Sequence, residues 1–389
     1  MKAWLARGGL LMVSLGLALA LGEGLVRVAA PQQLIRPNDR VWQADTLLGW
    51  QRRPNIDVVI NTGDRPARFI TDARGYRIAA DAAAGAETAP LRVLALGDSY
   101  VEGQMVDQEE TFSGRLQALL RQRDRPVDVL NAGVGGWNPG HYARYARHVL
   151  RTDTIDAAVV FLYAGNDLIL PADTALTIAN QAARHPLRWP ASWTRREVID
   201  AWLYPVNDAL ETRSHLFVFL KRRGEGLLTR YGLTPYYIPA AFRADQATSP
   251  RWAFTAAQCG RIERLFDQHG VPVLFVLLPS VIQVHQDVRD RYLRFHRVPA
   301  EAIRVDQPRD ALRAAWGLHV QAPLIDVYPA LLAQAQAGYR LYGQVDRHLN
   351  EAGHQAVAEA IVDTVAHLVH PTSVPIRPPA DASYADYAR

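Results

Sequence analysis

The strongest constraint on the fold is a run of seven residues, 157–163, that reads Ala-Ala-Val-Val-Phe-Leu-Tyr. A strand with one face in water alternates apolar and polar residues, whereas this run is apolar throughout. Such a run is typical of a strand in a parallel sheet that helices cover on both faces. Because parallel neighbours need a crossover connection, the run also predicts helices before and after it.

The chain on both sides of this run shows the expected alternation. Before it lie an apolar strand at 91–96, helical spacing at 111–122, a strand at 127–130 and helical spacing at 142–150. After it come helix 252–269, strand 271–278, helix 309–316, strand 324–327 and helices 329–336 and 351–368. This order predicts an α/β fold with a three-layer, doubly wound parallel sheet.

Composition narrows the class of protein. With 389 residues, 49% of them hydrophobic, the chain is long enough for one large core with insertions or for two domains. The net charge of +4, from 43 basic and 39 acidic residues, is too balanced to indicate nucleic-acid binding. Cys259 is the one cysteine, which excludes an intramolecular disulfide and a thiolate metal cluster. We expect it to be a buried side chain within a helix.

The N-terminal residues, 1–30, have the pattern of a signal peptide or a signal anchor helix. Lys2 and Arg7 precede an apolar run at 8–21, which predicts a cytoplasmic N-terminus and a periplasmic bulk. An Ala-x-Ala sequence ending at Ala20 favours cleavage and secretion, whereas helical periodicity that continues through Val26 favours an uncleaved anchor. We predict the anchor, a single-pass helix in the inner membrane.

The remaining segments divide the chain further. Residues 31–90 are predicted to be a linker followed by a β-hairpin at 56–78, with a docking point at 48–50 and a loose loop at 79–89. The main domain is predicted at 91–370, and 371–389 is predicted to be a disordered tail. An insertion at 170–250 breaks the alternation and is expected to lie over the active-site edge as a lid, a substrate groove or simple packing. It contains an amphipathic helix at 214–222 and the aromatic residues Trp189, Trp193, Trp202, Tyr204, Tyr231, Tyr236 and Tyr237.

A short polar turn follows the first core strand. Gly97-Asp98-Ser99 ends the strand at 91–96 and precedes a helix. In open α/β sheets, ligands bind at the carboxyl ends of the strands, so Ser99 is a candidate nucleophile. The alternative is that Asp98 and Ser99 only cap the next helix.

Three other stretches occur in order after this turn. They are Asn131-Ala132-Gly133-Val134-Gly135-Gly136, Tyr163-Ala164-Gly165-Asn166-Asp167 and Asp346-Arg347-His348. Each alone has an ordinary interpretation as a turn or a solvated loop. A dinucleotide-binding fingerprint is excluded for the glycines, because the required third glycine would fall at Asn138.

Together with Gly97-Asp98-Ser99, these stretches resemble the four sequence blocks of the SGNH hydrolases, also called GDSL esterases. The resemblance covers about 91–368 outside the insertion and implies a flavodoxin-like sheet and ester hydrolysis without a cofactor. It implies that Ser99 is the nucleophile, His348 the general base and Asp346 the residue that orients His348. The oxyanion hole would consist of the Ser99 and Gly136 backbone N–H groups and the Asn166 side chain. Asp98 and Asp167 would support these loops.

The sequence departs from the family pattern at two positions. Asp346 precedes the histidine by two residues, whereas many members have three, and Ala164 stands where the third block usually has glycine. In an extended loop, residues 346 and 348 would point to the same side. His354 is the competing base, and we interpret it as a surface or packing histidine in the last helix.

These features predict an esterase or deacylase that acts on O-acyl esters, in particular O-acetyl esters, of a cell-envelope glycan. An O-acyltransferase that uses the same triad on a periplasmic polysaccharide is the first alternative, and a non-catalytic glycan-binding or assembly protein is the second. The predicted partners are an acylated glycan or other ester, the membrane and envelope polysaccharide machinery. The rival α/β-hydrolase pattern Gly-x-Ser-x-Gly fails because position 101 is valine. The spacing of the twelve histidines indicates no metal site.

Overall fold

Eight strands form one mixed sheet in the computed structural model, which describes residues 2–32, 34, 40–80, 91–168, 206–207, 209–231 and 238–369. The strands are β1 (Trp42–Asp45), β2 (Gly49–Arg52), β3 (Asp57–Asn61), β4 (Pro66–Thr71), β5 (Arg77–Ile78), β6 (Leu91–Gly97), β7 (Val127–Gly133), β8 (Ala157–Tyr163), β9 (Val273–Leu278) and β10 (Leu324–Asp326). The first two pair only with each other, and the other eight make the sheet.

The helices lie between and after these strands. They are α1 (Lys2–Ala29), α2 (Ser99–Glu102), α3 (Phe112–Arg121), α4 (Pro139–Thr152), α5 (His215–Arg230), α6 (Arg251–Asp267), α7 (Val281–Val284), α8 (Gln286–His296), α9 (Gln307–Trp316), α10 (Tyr328–Gln336) and α11 (Glu351–Leu368). The predicted alternation is confirmed, and most boundaries agree within three residues. The sequence analysis assigned no element to 281–296, where the structure has α7 and α8.

Five neighbouring strands are parallel, in the spatial order β7-β6-β8-β9-β10. Counted along the chain, this is the 2-1-3-4-5 order of a flavodoxin-like sheet, so the predicted fold class is confirmed. The direction of winding reverses between β6 and β8, and ligands bind at such a point in doubly wound sheets. The continuously apolar strand β8 is buried from residue 157 to 162, as a central strand should be.

The helices form two layers. Crossovers between parallel strands are right-handed, so the face on which a helix lies depends on the direction in which the chain moves across the sheet. The step from β6 to β7 puts α3 on one face. The later strands lie on the opposite side of β6, which puts α4, α6 and α9 on the other face. Contacts agree with this arrangement, since α3 packs against α11, and α6 packs against both α4 and α9. Asn350 caps α11 as predicted, accepting a hydrogen bond from the Gly353 N–H at 3.0 Å.

The segment before β6 adds to the sheet. The predicted hairpin is confirmed as β3 and β4, which extend the β7 edge through the short strand β5, all antiparallel. Residues 42–52, expected to be extended linker, form the hairpin of β1 and β2 instead. The two arms pair with each other, from Trp42 opposite Arg52 to Asp45 opposite Gly49.

Helix α1 contains a 23-residue stretch, Arg7–Ala29, in which an 18-residue window has a mean hydropathy of 1.9 and is only 6% buried. It is long and apolar enough to cross a membrane, although a signal sequence has the same character. The predicted amphipathic helix at 214–222 is part of the longer α5. Several predicted segments lie outside the described residues. They are 81–89 of the loop predicted at 79–89, residues 170–205, 208 and 232–237 of the insertion, and the tail at 371–389. All of the insertion's aromatic residues named above except Tyr231 are among them.

Candidate active site

Ser99 lies at the carboxyl end of β6, where the winding of the sheet reverses. It is the first residue of α2, and the side chain of Asp98 caps this helix by accepting a hydrogen bond from the Tyr100 N–H at 2.9 Å. Gly97 permits the tight turn, because a Cβ at this position would lie 2.3 Å from Cγ2 of Val101. The capping interpretation therefore holds for Asp98, while the Ser99 hydroxyl remains available for another contact.

The hydroxyl of Ser99 is hydrogen-bonded to His348. Ser99 Oγ lies 2.7 Å from His348 Nε2, and His348 Nδ1 lies 2.7 Å from Oδ1 of Asp346. The structure therefore brings together the three residues that the resemblance selected, although 249 positions separate the serine from the histidine. Serine, imidazole and carboxylate in this order can transfer a proton from the hydroxyl to the ring.

The loop that carries Asp346 and His348 is not extended, contrary to the sequence expectation. Arg347 has φ of +64°, in the left-handed region. The two side chains meet because the backbone turns sharply between them, which gives the same proximity by a different geometry. Tyr100 holds this turn from α2: its ring lies 4.8 Å from that of His348, and its hydroxyl donates to the Arg347 carbonyl at 3.4 Å.

The surroundings shift the pKa values of this pair in opposite directions. Burial alone would lower the pKa of His348, but the hydrogen bond and the negative charge of Asp346 outweigh it and raise the pKa above its usual value. Burial alone would raise the pKa of Asp346, but the contact with His348 outweighs it and lowers that pKa. The His348 side chain is 30% exposed, so solvent or a substrate can reach it.

The other predicted site residues lie around the nucleophile turn. Gly136 is exposed and has φ of +78°, a conformation that a side chain would strain. Asn166 is also exposed, and its Nδ2 donates to Oδ2 of Asp98 at 3.1 Å. One of its two amide hydrogens is used in this way, so the other can donate to a bound group.

Asp98 and Asp167 are both buried below Asn166. Asp167 Oδ2 accepts hydrogen bonds from the Tyr142 hydroxyl and the Tyr163 N–H, each at 2.9 Å. Burial, with the nearby charge of Asp98, raises the pKa of Asp167 well above its usual range. Burial also raises the pKa of Asp98, partly offset by its hydrogen bond from Tyr100. These contacts connect the third block to the nucleophile turn.

Glu102, which the sequence analysis did not single out, is fully buried at the end of α2. Its carboxylate accepts hydrogen bonds from Nε1 of Trp42 at 2.8 Å, from Nε2 of Gln104 at 2.6 Å and from the Gly135 N–H at 2.9 Å. The helix that begins with Ser99 is thus tied to the glycine loop that contains Gly136. In the sequence, Glu102 is an ordinary residue three positions after the serine, and partners such as Trp42 and Gly135 are too distant to give a local signal.

The hairpin of β1 and β2 holds the same glycine loop from outside. Nε1 of Trp50 donates to the Gly135 carbonyl at 2.9 Å, and Nε1 of Trp137 donates to the Trp50 carbonyl at 3.0 Å. The buried Arg52 side chain binds the side chain and the backbone carbonyl of Asn131. The docking point expected at 48–50 is confirmed by these contacts.

Asp64, in the turn between β3 and β4, holds the loop on the opposite side of the site. Its Oδ1 accepts the Gln344 N–H at 2.7 Å and the Val345 N–H at 3.1 Å, and its Oδ2 accepts the Asp346 N–H at 2.8 Å. One carboxylate therefore fixes three consecutive backbone groups beside His348. In the sequence, Asp64 is simply a turn residue within the hairpin predicted at 56–78.

His354 is a packing residue. It is 1% exposed, and its Nδ1 accepts the Phe112 N–H at 3.0 Å. Burial lowers its pKa to about 3, so the ring is neutral at ordinary pH. Of the two histidines that the sequence offered, only His348 is bonded to Ser99.

A cavity of about 830 Å³ lies against the loop that carries Asp346 and His348. Its lining includes the loop residues 342–345 and 347, and the side chains of α8. The lining is polar and apolar in about equal parts, with Arg65, Arg291, Arg340 and Arg347 beside the rings of Tyr292 and Phe295. Among the described residues, no three His, Cys, Asp or Glu side chains are grouped so that they could hold a metal ion.

Comparisons with known proteins place this chain in a family. One similar solved structure is a G-D-S-L family lipolytic protein from Veillonella parvula, with 14% identity over 70% of this chain and 97% of that chain and a TM-score of 0.36. Another is a lipase/acylhydrolase from Enterococcus faecalis, with 12% identity over 73% of this chain and 100% of that chain and a TM-score of 0.36. A family 3 carbohydrate esterase from Clostridium thermocellum is also similar, with 11% identity over 72% of this chain and 99% of that chain and a TM-score of 0.34. These values are too low to carry an argument about function, and no curated protein matches the chain.

A family model gives the decisive match. The model of the GDSL-like lipase/acylhydrolase family matches residues 95–356, which is more than half of the chain and includes all four sequence blocks. The chain therefore belongs to the GDSL-like lipase/acylhydrolase family and is a hydrolase of ester bonds.

Proposed function

We propose that the chain is a serine esterase in which Ser99, His348 and Asp346 act as a catalytic triad on O-acyl esters of a cell-envelope glycan. The observation that carries the proposal is the pair of 2.7 Å hydrogen bonds that connect the three side chains in sequence. A neutral His348 accepts the Ser99 proton at Nε2 while its Nδ1–H donates to Asp346. This fixes the tautomer that the reaction needs.

The reaction proceeds in two halves. Ser99 Oγ forms a bond to the ester carbonyl carbon as its proton moves to His348, and the protonated ring then gives that proton to the departing alcohol oxygen. Water attacks the acyl-serine in the second half, with His348 again taking the proton. The acid is released and Ser99 is restored.

The oxyanion of each tetrahedral intermediate requires hydrogen-bond donors on the other side of Ser99. We assign the Ser99 N–H, the Gly136 N–H and the remaining hydrogen of Asn166 Nδ2 to this role. Support comes from the exposure of Gly136 and Asn166 and from the contacts of Asp98 and Glu102 that hold both loops against α2.

The cavity beside the catalytic loop supports a polar substrate. Its mixed lining of arginines and two aromatic rings suits the hydroxyl groups and the apolar face of a sugar, whereas a long acyl chain needs a largely apolar pocket. We therefore infer a small acyl group, such as acetyl, on a glycan. Helix α1 would anchor the enzyme in the inner membrane with the catalytic domain in the periplasm.

The test is to incubate the full chain, purified in detergent, with an O-acetylated glycan and with acetyl and palmitoyl esters of nitrophenol. We expect acetate release from the glycan and a strong preference for the acetyl ester, with both lost in Ser99→Ala. Preference for the palmitoyl ester would contradict the glycan assignment. If acetyl transfer to an added glycan acceptor exceeded acetate release, the enzyme would instead be an O-acyltransferase.

A further inference from the structure

Helix α5 is held against the C-terminal third of α1. The carboxylate of Glu23 accepts hydrogen bonds from the Ser214 hydroxyl at 2.8 Å, the His215 N–H at 3.0 Å and the Leu216 N–H at 2.9 Å. Leu216 packs on Gly22, where a Cβ would lie 3.1 Å from its Cδ2. A carboxylate within an apolar helix is costly in a membrane unless it is paired, and Arg27 and the start of α5 together supply its partners.

These contacts place the start of α5 at a defined depth. Glu23 precedes Ala29, the end of the apolar stretch, by six residues, which is about 9 Å along a helix. Amphipathic helices that lie in the membrane interface insert their apolar face about 5–10 Å into the boundary between headgroups and acyl chains. If α1 spans the membrane, the first turn of α5 is therefore at interfacial depth.

The side of α5 that contacts α1 continues as an apolar stripe that is left exposed within the described part of the chain. Leu220 and Leu227 follow Leu216 by four and eleven residues, which puts all three on one side of the helix. Leu220 is 56% exposed and Leu227 is 53% exposed. The stripe thus runs from a contact with α1 into the open.

The charges on α5 suit a lipid surface. The helix contains Lys221, Arg222, Arg223 and Arg230 against the single acid Glu225. Arg222 and Arg223 are exposed, and the Arg223 guanidinium lies 5.2 Å from the centre of the Phe219 ring. An apolar stripe flanked by arginine is the pattern of a helix bound to a membrane surface with anionic headgroups.

We propose that α5 lies in the interface of the membrane, with Leu220 and Leu227 among the acyl chains and Arg222 and Arg223 at the lipid phosphates. The proposal rests on the anchoring role proposed for α1. It also fixes the height of the active site, because Gly226 of α5 approaches Phe295 of α8, and α8 lines the cavity beside the catalytic loop. The enzyme would then work on esters held next to the bilayer.

The test uses the full chain in nanodiscs of phosphatidylcholine and phosphatidylglycerol. Single cysteines are introduced as Leu220→Cys, Leu227→Cys and, as a matched control on the opposite side of α5, Glu225→Cys, all with Cys259→Ala. A fourth variant, Gly16→Cys, reports on α1. Each protein carries an environment-sensitive fluorophore, and quenching by spin-labelled lipids is measured. Turnover of a soluble acetyl ester shows that each labelled protein is folded.

We expect blue-shifted, lipid-quenched emission at 220 and 227 and water-exposed emission at 225. Water-exposed emission at all three α5 positions, with Gly16→Cys quenched, would overturn the proposal while leaving the anchor intact. Quenching at 225 as well would contradict the one-sided orientation. Energy transfer between labelled copies without lipid quenching would show that the stripe binds a second chain. Unquenched emission from Gly16→Cys would refute both the anchoring role of α1 and the position proposed for α5. Ser99-dependent ester hydrolysis would be unaffected by that result.

Discussion

The two loops that meet at the Ser99–His348 hydrogen bond are held by the same kind of contact in different surroundings. On the nucleophile side, the carboxylate of Glu102 accepts hydrogen bonds from Trp42, Gln104 and Gly135 and is fully buried. On the base side, the carboxylate of Asp64 accepts three backbone N–H groups of 344–346 and is half-buried beside an open cavity.

Because Glu102 is more deeply buried than Asp64, we expect the loss of the two charges to affect different properties of the protein. If Glu102 lost its charge, buried N–H donors would lose an acceptor that water cannot replace, and the buried Arg52 would lose a nearby negative charge. If Asp64 lost its charge, water could reach the N–H groups that it releases, so the loop would loosen without unfolding the domain. We therefore expect the nucleophile side to be coupled to global stability and the base side to be adjustable locally.

The largest effect should come from removing the hydrogen bond between Ser99 and His348, which joins the two sides. Ser99→Ala and His348→Ala should each lower kcat by about 10³-fold or more, and the double variant should add little, because the two residues act as one unit. Steady-state kinetics on a soluble acetyl ester measure this. His354→Ala, with folding checked by circular dichroism, is the control and should keep most activity. Loss of turnover in His354→Ala but not in His348→Ala would contradict the assignment of the base.

The next effect concerns the donors on the nucleophile side. Asn166→Ala should lower kcat by about 10²–10³-fold with little change in KM, as expected for the loss of one oxyanion donor. An unchanged kcat would mean that Asn166 only supports Asp98.

Glu102→Gln tests whether the nucleophile side is coupled to folding. The amide keeps the shape of the side chain but removes the charge and one acceptor, so the free energy of unfolding should fall by about 3 kcal/mol or more. Thermal and urea unfolding of the full chain in detergent measure it. Wild-type stability in this variant would refute the distinction between the two loops.

Asp64→Asn tests the base side. Here the stability should change little, whereas kcat should fall by up to about 10²-fold because His348 is no longer held in place. Asp57→Asn is the matched control: Asp57 lies in the same hairpin and pairs with Arg68 on the surface, so neither property should change. A large loss of stability in Asp64→Asn with normal kcat would reverse our interpretation.

The smallest effect is a shift in pH dependence. Only neutral His348 can accept the Ser99 proton, so kcat should fall as the pH drops through the pKa of His348, which lies above its usual 6.5. Asp346→Ala removes the group that raises this pKa and leaves the burial that lowers it, so the midpoint should move to lower pH. The loss of kcat should be smaller than in Ser99→Ala. A midpoint that stayed in place would mean that Asp346 does not act through His348.

The sequence predicted the parts of the site that are local. Ser99 and His348 stand in short motifs beside regular elements, and the alternation of strands and helices gave the sheet that brings those elements together. Glu102 and Asp64 could not be found in this way. Their roles depend on partners 33 and 282 residues away, and nothing in the local sequence distinguishes such an acceptor from an ordinary turn or helix residue.

The conformation of Arg347 shows a second feature that the sequence does not predict. The spacing of Asp346 and His348 predicted their proximity correctly, but for the wrong backbone geometry. A left-handed residue between them is set by the contacts of the folded loop, including the Tyr100 hydroxyl, rather than by the preference of arginine. The proximity of the two side chains was therefore easier to predict than the backbone conformation that produces it.

The position of Asp64 also determines when the enzyme becomes active during its synthesis. The hairpin that contains Asp64 emerges early, but its three N–H partners come about 280 residues later, just before the last helix. A contact between such distant parts of the chain forms slowly, because most of the intervening chain must fold first. Partly synthesised chains would therefore contain Ser99 and its surrounding strands but not His348, which lies 249 residues later. Ester-cleaving activity that depends on His348 would begin only when the last part of the domain has folded.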